Sequence, residues 1–309
     1  MNRYLNAYDE LASFLNKEEI LLDEPMKNHT WFEIGGTADI LVIPQSVEKL
    51  IKVIHYVRKN NIPTFLIGNG SNLLVKDGGI RGIVIKTEMI NRISVEGEII
   101  TAECGALLED ISGIAYEHGL SGFEFACGIP GTLGGAVFMN AGAYDGEMSF
   151  VLDSVRVMTP ELKVLTLKRD ELELGYRTSA VKTNGYVVLD AKIVLEAGSK
   201  EEIKAKVDDL THRREDRQPL EFPSAGSTFK RPTGHYAGKL IQDAGLKGYQ
   251  IGGAQVSEKH SGFVINKDHA EAKDVLDLIS YIQSTVMDKF HVELCTEVLI
   301  VGEDRQDII

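Results

Sequence analysis

Gly68-Asn-Gly-Ser-Asn-Leu-Leu-Val75 is the stretch that decides the fold. It follows an apolar run, Thr64-Phe-Leu-Ile67, that reads as a strand. Gly-x-Gly after a strand first points to a dinucleotide fold. The third glycine of that fingerprint is replaced by Leu73, and no helical pattern follows. Apolar residues continue to Val75, Asp77-Gly-Gly79 interrupts them, and Gly82–Ile85 reads as another strand. Strand, glycine loop, strand is a different phosphate cradle, built from the backbone N–H groups of 68–72 with the side chains of Ser71 and Asn72. Asn69-Gly70 is equally a strong hairpin signal, so taken alone the stretch leaves cradle and hairpin open.

Upstream, residues 3–22 read as an amphipathic helix carrying Leu5, Leu11, Phe14 and Leu15, stopped by Pro25. Ile40–Ile43 reads as a strand. Ser46 stands where an N-cap belongs, and Val47, Leu50, Ile51, Ile54 and Val57 form one apolar face, so 40–67 is expected to be a βαβ unit. His29 is expected to be a packed or capping histidine.

Downstream, Ile93–Leu108 reads as a hairpin turning at Glu96-Gly-Glu98, and Leu107–His118 as a helix closed by Gly119. A second glycine-rich run follows, Phe125-Ala-Cys-Gly-Ile-Pro-Gly-Thr-Leu-Gly-Gly-Ala-Val-Phe-Met-Asn-Ala-Gly-Ala-Tyr144. It is almost uncharged, and glycines at this density let the backbone approach a ligand closely. Gly128, Gly131, Gly134, Gly135 and Gly142, with the side chains of Thr132 and Asn140, are therefore candidate contacts of a buried anionic ligand. The bland alternative is a tight turn between packed elements.

Strands are expected at Val151–Met158, Lys163–Leu167 and Tyr186–Leu195, with Gly175-Tyr-Arg-Thr-Ser179 as a polar turn before the last. Lys200–Arg214 reads as a helix ending in His212-Arg-Arg-Glu-Asp-Arg217, also the best candidate linker. Ser227, after Gly226 and between two prolines, is expected to be exposed on a held loop. His235–Ala244 and Glu271–Phe290 read as helices, with Tyr249–Ile251 and Phe263–Ile265 as strands. A terminal strand, Val292–Val301, carries Glu297, a carboxylate that in so apolar a setting needs a partner or a raised pKa.

The chain has 309 residues, 43% hydrophobic and 26% charged, with a formal charge of −13. Two domains, or one large one with lobes, are expected. The negative charge excludes nucleic acid and anionic membrane as general partners. No apolar run approaches the ~20 residues of a membrane span, and the start lacks a signal-peptide pattern. Cys104, Cys127 and Cys295 show no metal spacing and are read as reduced cytosolic thiols, so no metal is expected and the location is cytoplasmic.

Five segments together resemble the UDP-N-acetylenolpyruvoylglucosamine reductase family, flavoenzymes of peptidoglycan precursor synthesis. They are Gly68–Val75, Gly128–Gly135 with Asn140–Tyr144, Gly175–Ser179, Pro223–Lys230 and Ile251–Asn266, in matching order over about 30 to 300. The resemblance implies an α+β fold: a two-lobe FAD-binding region of the vanillyl-alcohol-oxidase (PCMH) type plus a C-terminal α+β substrate domain. It places the FAD region at 1–205, with lobes at about 1–87 and 88–205, and the substrate domain at 206–309. The last strand, about 292–302, is allowed to return to the FAD region.

The resemblance further implies that hydride passes from NADPH through non-covalent FAD to the enolpyruvyl group of UDP-N-acetylglucosamine enolpyruvate, giving UDP-N-acetylmuramate. Arg177, Ser227 as proton donor and Glu297 match the family's catalytic residues. Gly68, Asn69, Gly70, Ser71 and Asn72, with the second glycine run, would hold FAD. Tyr176, Arg217, Lys230 and Lys259 are candidates for substrate contacts. Ser179 to Glu196 has no room for the substrate-covering insertion of one kind of family member, so the shorter kind is implied, with small-molecule partners and no obligate protein partner. A hydroxy-acid or sugar oxidase of the same flavin fold need not keep Arg177, Ser227 and Glu297 together, and a nucleotide-sugar binding protein would not need an FAD cradle.

Overall fold

In a computed structural model, the structure describes residues 5–305. The chain forms two compact units. One takes residues up to Leu21, then Leu41–Asn69 and Ile83–Arg214; the other takes Leu22–Ile40, Gly70–Gly82 and the chain from Glu215 onward.

The first unit holds a five-stranded antiparallel sheet in the order Val164–Lys168, Leu152–Met158, Val187–Val194, Ile99–Glu103, Ile93–Glu96. The expected hairpin at Glu96-Gly-Glu98 closes one edge, with Gly97 at φ +60°. The helix Leu108–Glu117 buries Leu108, Ile111 and Ala115, and Gly119 ends it at φ +65°. Its neighbour Leu133–Met139 lies inside the second glycine run, which the sequence had not shown as a helix. Thr132 caps it by accepting from the Gly135 amide, and Asn140 closes it in the left-handed region.

Helix Val47–Lys59 forms as expected, with Ser46 accepting from the Lys49 amide and Val47, Leu50, Val53, Ile54 and Val57 buried. The strand before it is Thr37–Val42, and Thr64–Ile67 follows it. The strand, helix and strand expected over 40–67 are all present, with Ile80–Lys86 lying between the two strands in the sheet and parallel to Thr64–Ile67. The N-terminal helix is also shorter than expected. It ends at Leu11, and Ile20–Pro25 is a strand; residues 3 and 4 of the expected helix lie outside the described residues. Ile20, Leu21 and Leu22 suit either element, and strand pairing decided for them.

The second unit is built around Ala272–Phe290, whose buried face carries Val275, Leu278, Ile279, Ile282 and Val286. Each such side chain contributes about 1.5–3 kcal/mol on burial. Phe32, Leu74, Ile241 and Val264 pack into the same core. Asp77 fixes where the helix starts, accepting from the amides of Ala272 (2.8 Å) and Lys273 (3.0 Å). An antiparallel sheet of order Ser224–Ser227, Phe263–Asn266, Ala254–Val256, Gln250–Ile251 lies in this unit.

The expected terminal strand 292–301 shrinks to Leu299–Val301, which pairs in parallel with Leu73–Val75. Leu294 and Val298 are apolar because they enter the core, not because they alternate in a ladder. The proposed linker His212–Arg217 is the end of a continuous helix, Lys200–Arg217. No described helix is long and apolar enough to cross a membrane.

Candidate active site

In the first unit the two glycine-rich segments touch. The Asn69 side chain donates to the Pro130 carbonyl at 2.9 Å. A Cβ on Gly68 would lie 2.2 Å from the Thr132 hydroxyl oxygen, so only glycine fits there. Thr64–Ile67 pairs with Ile80–Lys86 and Leu73–Val75 pairs elsewhere, which rules out the hairpin reading of Asn69-Gly70. The Arg214 guanidinium lies against Gly128, with its Nη1 3.0 Å from where a Cβ would be. Burial depresses the pKa of Arg214, with Tyr144 and Cys127 opposing that shift. A cation thus stands beside an uncharged glycine loop, an arrangement that suits a bound phosphate group. Sequence reading passed over Arg214, which is one member of an ordinary basic helix end; only its packing on Gly128 distinguishes it.

Not all of the second run is available to a ligand. The amides of Leu133 and Gly134 donate to the carbonyls of Ala106 and Cys104, both at 2.8 Å, and that of Gly135 to Thr132. Gly134 is small because Cys104 packs on it: a Cβ would lie 3.1 Å from the Cys104 carbonyl oxygen. Asn140 is 1% exposed. Its amide nitrogen donates to Glu147 and to the Gly175 carbonyl, each at 3.2 Å, and its oxygen accepts from the Ser149 amide at 2.9 Å. The hydrogen bonds of this side chain run to Glu147, Gly175 and Ser149, all within the first unit.

Arg177 sits in this unit on a tight turn. Gly175 and Thr178 exchange backbone hydrogen bonds at 3.1 and 3.2 Å, leaving Tyr176 and Arg177 at the tip. Arg177 has φ +57°, a conformation that strains a residue with a side chain. Its guanidinium donates to the Gly142 carbonyl at 3.4 Å and lies 5.1 Å from the Tyr176 ring centroid. Tyr176 is exposed and Arg177 half-buried.

The second unit brings four expected residues together through its backbone. Gly226 at φ +73° breaks the register of Ser224–Ser227 and leaves Ser227 exposed at the strand's end, opposite Phe263. Thr228 donates to the Gly262 carbonyl on one side and accepts from the Glu297 amide on the other, both at 2.9 Å. Lys230 donates to the Cys295 carbonyl at 2.9 Å. Asn72 flanks the same segment: its side chain donates to the Glu297 carbonyl at 3.3 Å, and its own carbonyl accepts from Leu299 at 3.0 Å. Glu297 is half-buried and outside any strand, unlike the ladder position expected.

Gly70 has φ +65° and backs onto the His29 carbonyl; His29 itself bonds Glu24 at 3.0 Å, a packed histidine as expected. Exposed Arg217 and Lys259 lie at the end of Lys200–Arg217, where Lys259 donates to the Glu215 carbonyl at 2.5 Å. Burial depresses the pKa of His260, and the nearby Arg217 charge adds to that.

Comparison with known proteins now decides the family. A family model described as "FAD binding domain" matches residues 38–168, and one described as "UDP-N-acetylenolpyruvoylglucosamine reductase, C-terminal domain" matches 218–301. A UDP-N-acetylenolpyruvoylglucosamine reductase of Clostridium perfringens is 59% identical over 304 residues, which is 98% of this chain and all of that one. The chain belongs to the UDP-N-acetylenolpyruvoylglucosamine reductase family. It is an oxidoreductase with an FAD-binding domain. The crystal structure of the Thermus caldophilus reductase, 34% identical, superposes with a TM-score of 0.78 over 92% of this chain and 98% of that one. An alkyldihydroxyacetonephosphate synthase, 17% identical, shares the fold over 63% of this chain and 41% of its own, with a TM-score of 0.50. The α+β, FAD-binding fold expected from the reductase family therefore holds.

Proposed function

We propose that the protein reduces the enolpyruvyl group of UDP-N-acetylglucosamine enolpyruvate to the lactyl ether of UDP-N-acetylmuramate, with NADPH as hydride donor, in peptidoglycan precursor synthesis. The support for this reading is that Thr228, next to Ser227, bonds Glu297 through the backbone, that Lys230 bonds Cys295 likewise, and that the Asn72 side chain bonds the Glu297 carbonyl, in a chain that matches a reductase over 98% of its length. FAD, when bound, relays the hydride from NADPH to the terminal vinyl carbon. The residues that fit it are Gly68–Asn72 and Gly128–Gly131, with Arg214 beside them to balance diphosphate charge and Thr132, Gly134, Gly135 and Gly142 shaping the backbone.

Hydride addition leaves enolate charge on the substrate's carboxylate. Arg177 is assigned to hold that charge, and Glu297 to assist it when protonated or through a water. Ser227 is assigned to give its proton to the α-carbon. Charge stabilisation is the larger contribution, since donors aimed at developing charge dominate such steps. A serine hydroxyl is a weak acid at neutral pH and must be re-protonated in each turnover. Tyr176, Arg217, Lys230 and Lys259 are assigned to the nucleotide-sugar substrate; Arg217 and Lys259 share one helix end and offer positive charge to its diphosphate.

On this reading residues 1–205 are the FAD-binding region and 206–309 the substrate domain. Three free cysteines suit a reducing compartment, and we place the protein in the cytoplasm. A net charge of −13 argues against nucleic acid as a partner. The purified protein is expected to be yellow, to bleach with NADPH in the absence of oxygen, and to regain its colour when the enolpyruvyl substrate is added. A colourless protein that takes up no FAD would sink the proposal.

A further inference from the structure

A charged side chain with positive φ at the tip of a two-residue turn does not hold that shape unaided. Arg177 is such a residue, and the position it occupies ordinarily selects glycine or asparagine. Besides the backbone bonds between Gly175 and Thr178, two side chains from outside the turn tie it. The Asn140 amide donates to the Gly175 carbonyl at 3.2 Å, at the base of the turn. Lys182 donates to the carbonyl of Arg177 itself at 3.2 Å, and its ammonium lies 5.6 Å from the Phe138 ring centroid.

Asn140 ties a second element at the same time. Its oxygen accepts from the Ser149 amide, and its nitrogen donates to Glu147, whose carboxylate also accepts from the Ser149 hydroxyl. Glu147 pairs with Gly142 in the small hairpin Gly142–Ala143/Gly146–Glu147. The Gly142 carbonyl accepts from the Arg177 guanidinium. One buried amide therefore fixes both the backbone that carries Arg177 and the hairpin that receives its side chain.

We propose that Asn140 is a positioning residue for Arg177 and that its side chain makes no contact with the cofactor. Lys182 supports the same turn from its other side. The inference rests on the assignment of Arg177 to the enolate charge. Asn140 is itself left-handed, at φ 43° and ψ 58°, so Asn140→Gly removes the side-chain bonds while keeping a backbone that glycine adopts freely.

The test uses the holoenzyme with anaerobic stopped-flow kinetics. Asn140→Gly is expected to purify with its full complement of FAD and to be reduced by NADPH within about twofold of the parent rate, while reoxidation by the enolpyruvyl substrate slows roughly 10- to 100-fold. Arg177→Ala should slow reoxidation further, and the double variant should be no slower than Arg177→Ala alone, because residues acting through one group are not additive. Lys182→Met, which removes the other tie, should give a smaller loss of the same kind and serves if Asn140→Gly does not fold. Loss of FAD from Asn140→Gly, an unchanged reoxidation rate, or a full additive loss in the double variant overturns the proposal. If Arg177→Ala reoxidises at the parent rate, the assignment of Arg177 fails, and the positioning role falls with it.

Discussion

The amide of Glu297 donates to the carbonyl of Thr228 at 2.9 Å, which sets the proposed glutamate beside the residue that follows Ser227. This pairing uses backbone atoms only, so side-chain substitutions at 227 and 297 leave it standing and report on chemistry. Ser227→Ala is expected to accept hydride from NADPH at nearly the parent rate, while flavin reoxidation by the enolpyruvyl substrate falls by about 10²–10⁴. Rapid-mixing measurement of the two half-reactions checks this. Equal slowing of both would make Ser227 a structural residue.

Gly68 faces Thr132 with no space for a methyl group. Gly68→Ala should destabilise the first unit by roughly 1–3 kcal/mol, the usual range for overpacking, and lower the FAD content of the purified protein. Adding Thr132→Ala removes the hydroxyl in the way and should recover part of that loss. Denaturant midpoints and the ratio of flavin to protein absorbance give both answers. A double variant less stable than Gly68→Ala would show that the cap on Leu133–Met139 outweighs the clash.

Asp77 holds the first turn of Ala272–Phe290 through two amides. Asp77→Ala leaves those donors without their carboxylate, and a loss of about 2 kcal/mol is expected. Asp77→Asn keeps one acceptor and should lose less. Urea unfolding followed by circular dichroism separates the two, and equal losses would assign the effect to charge alone.

The three thiols should differ sharply in reactivity. Cys295 is exposed, Cys127 is half-buried with a pKa raised by burial, and burial pushes Cys104 up to about 12. A thiol reagent at neutral pH is expected to modify Cys295 first, Cys127 slowly, and Cys104 only on unfolding. Cys104 also links stability to pH. Its folded pKa of about 12 lies above the unfolded value of 9.0, so between these the unfolded chain has lost a proton that the folded one retains. Stability from this group is complete below about pH 9 and declines as pH rises toward 12. Cys104→Ala should flatten that decline in alkaline melting curves.

Much of the architecture could be read from local pattern. The helix Val47–Lys59 was visible from Ser46 and one apolar face, the hairpin from Gly97, and Ala272–Phe290 from its clean periodicity. What escaped was set by distant partners. Ile20–Pro25 is a strand because a sheet receives it, and Leu133–Met139 is a helix despite two glycines that conceal its pattern. Tyr176-Arg177 could be read as a turn, but the hold of Asn140 on Gly175 could not, since the two lie 35 positions apart. An asparagine in a glycine run likewise gives no sign of which carbonyl it will find. The juxtaposition of Ser227 and Glu297 left no local trace either, because backbone hydrogen bonds carry it.

The parallel pairing of Leu73–Val75 with Leu299–Val301 bears on how the chain is made. Asn72 and Glu297, bonded across that junction, lie 225 positions apart. On the ribosome, Leu73, Leu74 and Val75 emerge long before the strand that will cover them. A segment that is fully enclosed at the end is a sticky, unmatched edge in the nascent chain. Synthesis halted shortly before residue 299 would therefore release a polypeptide with that edge open, a substrate for chaperones and proteases.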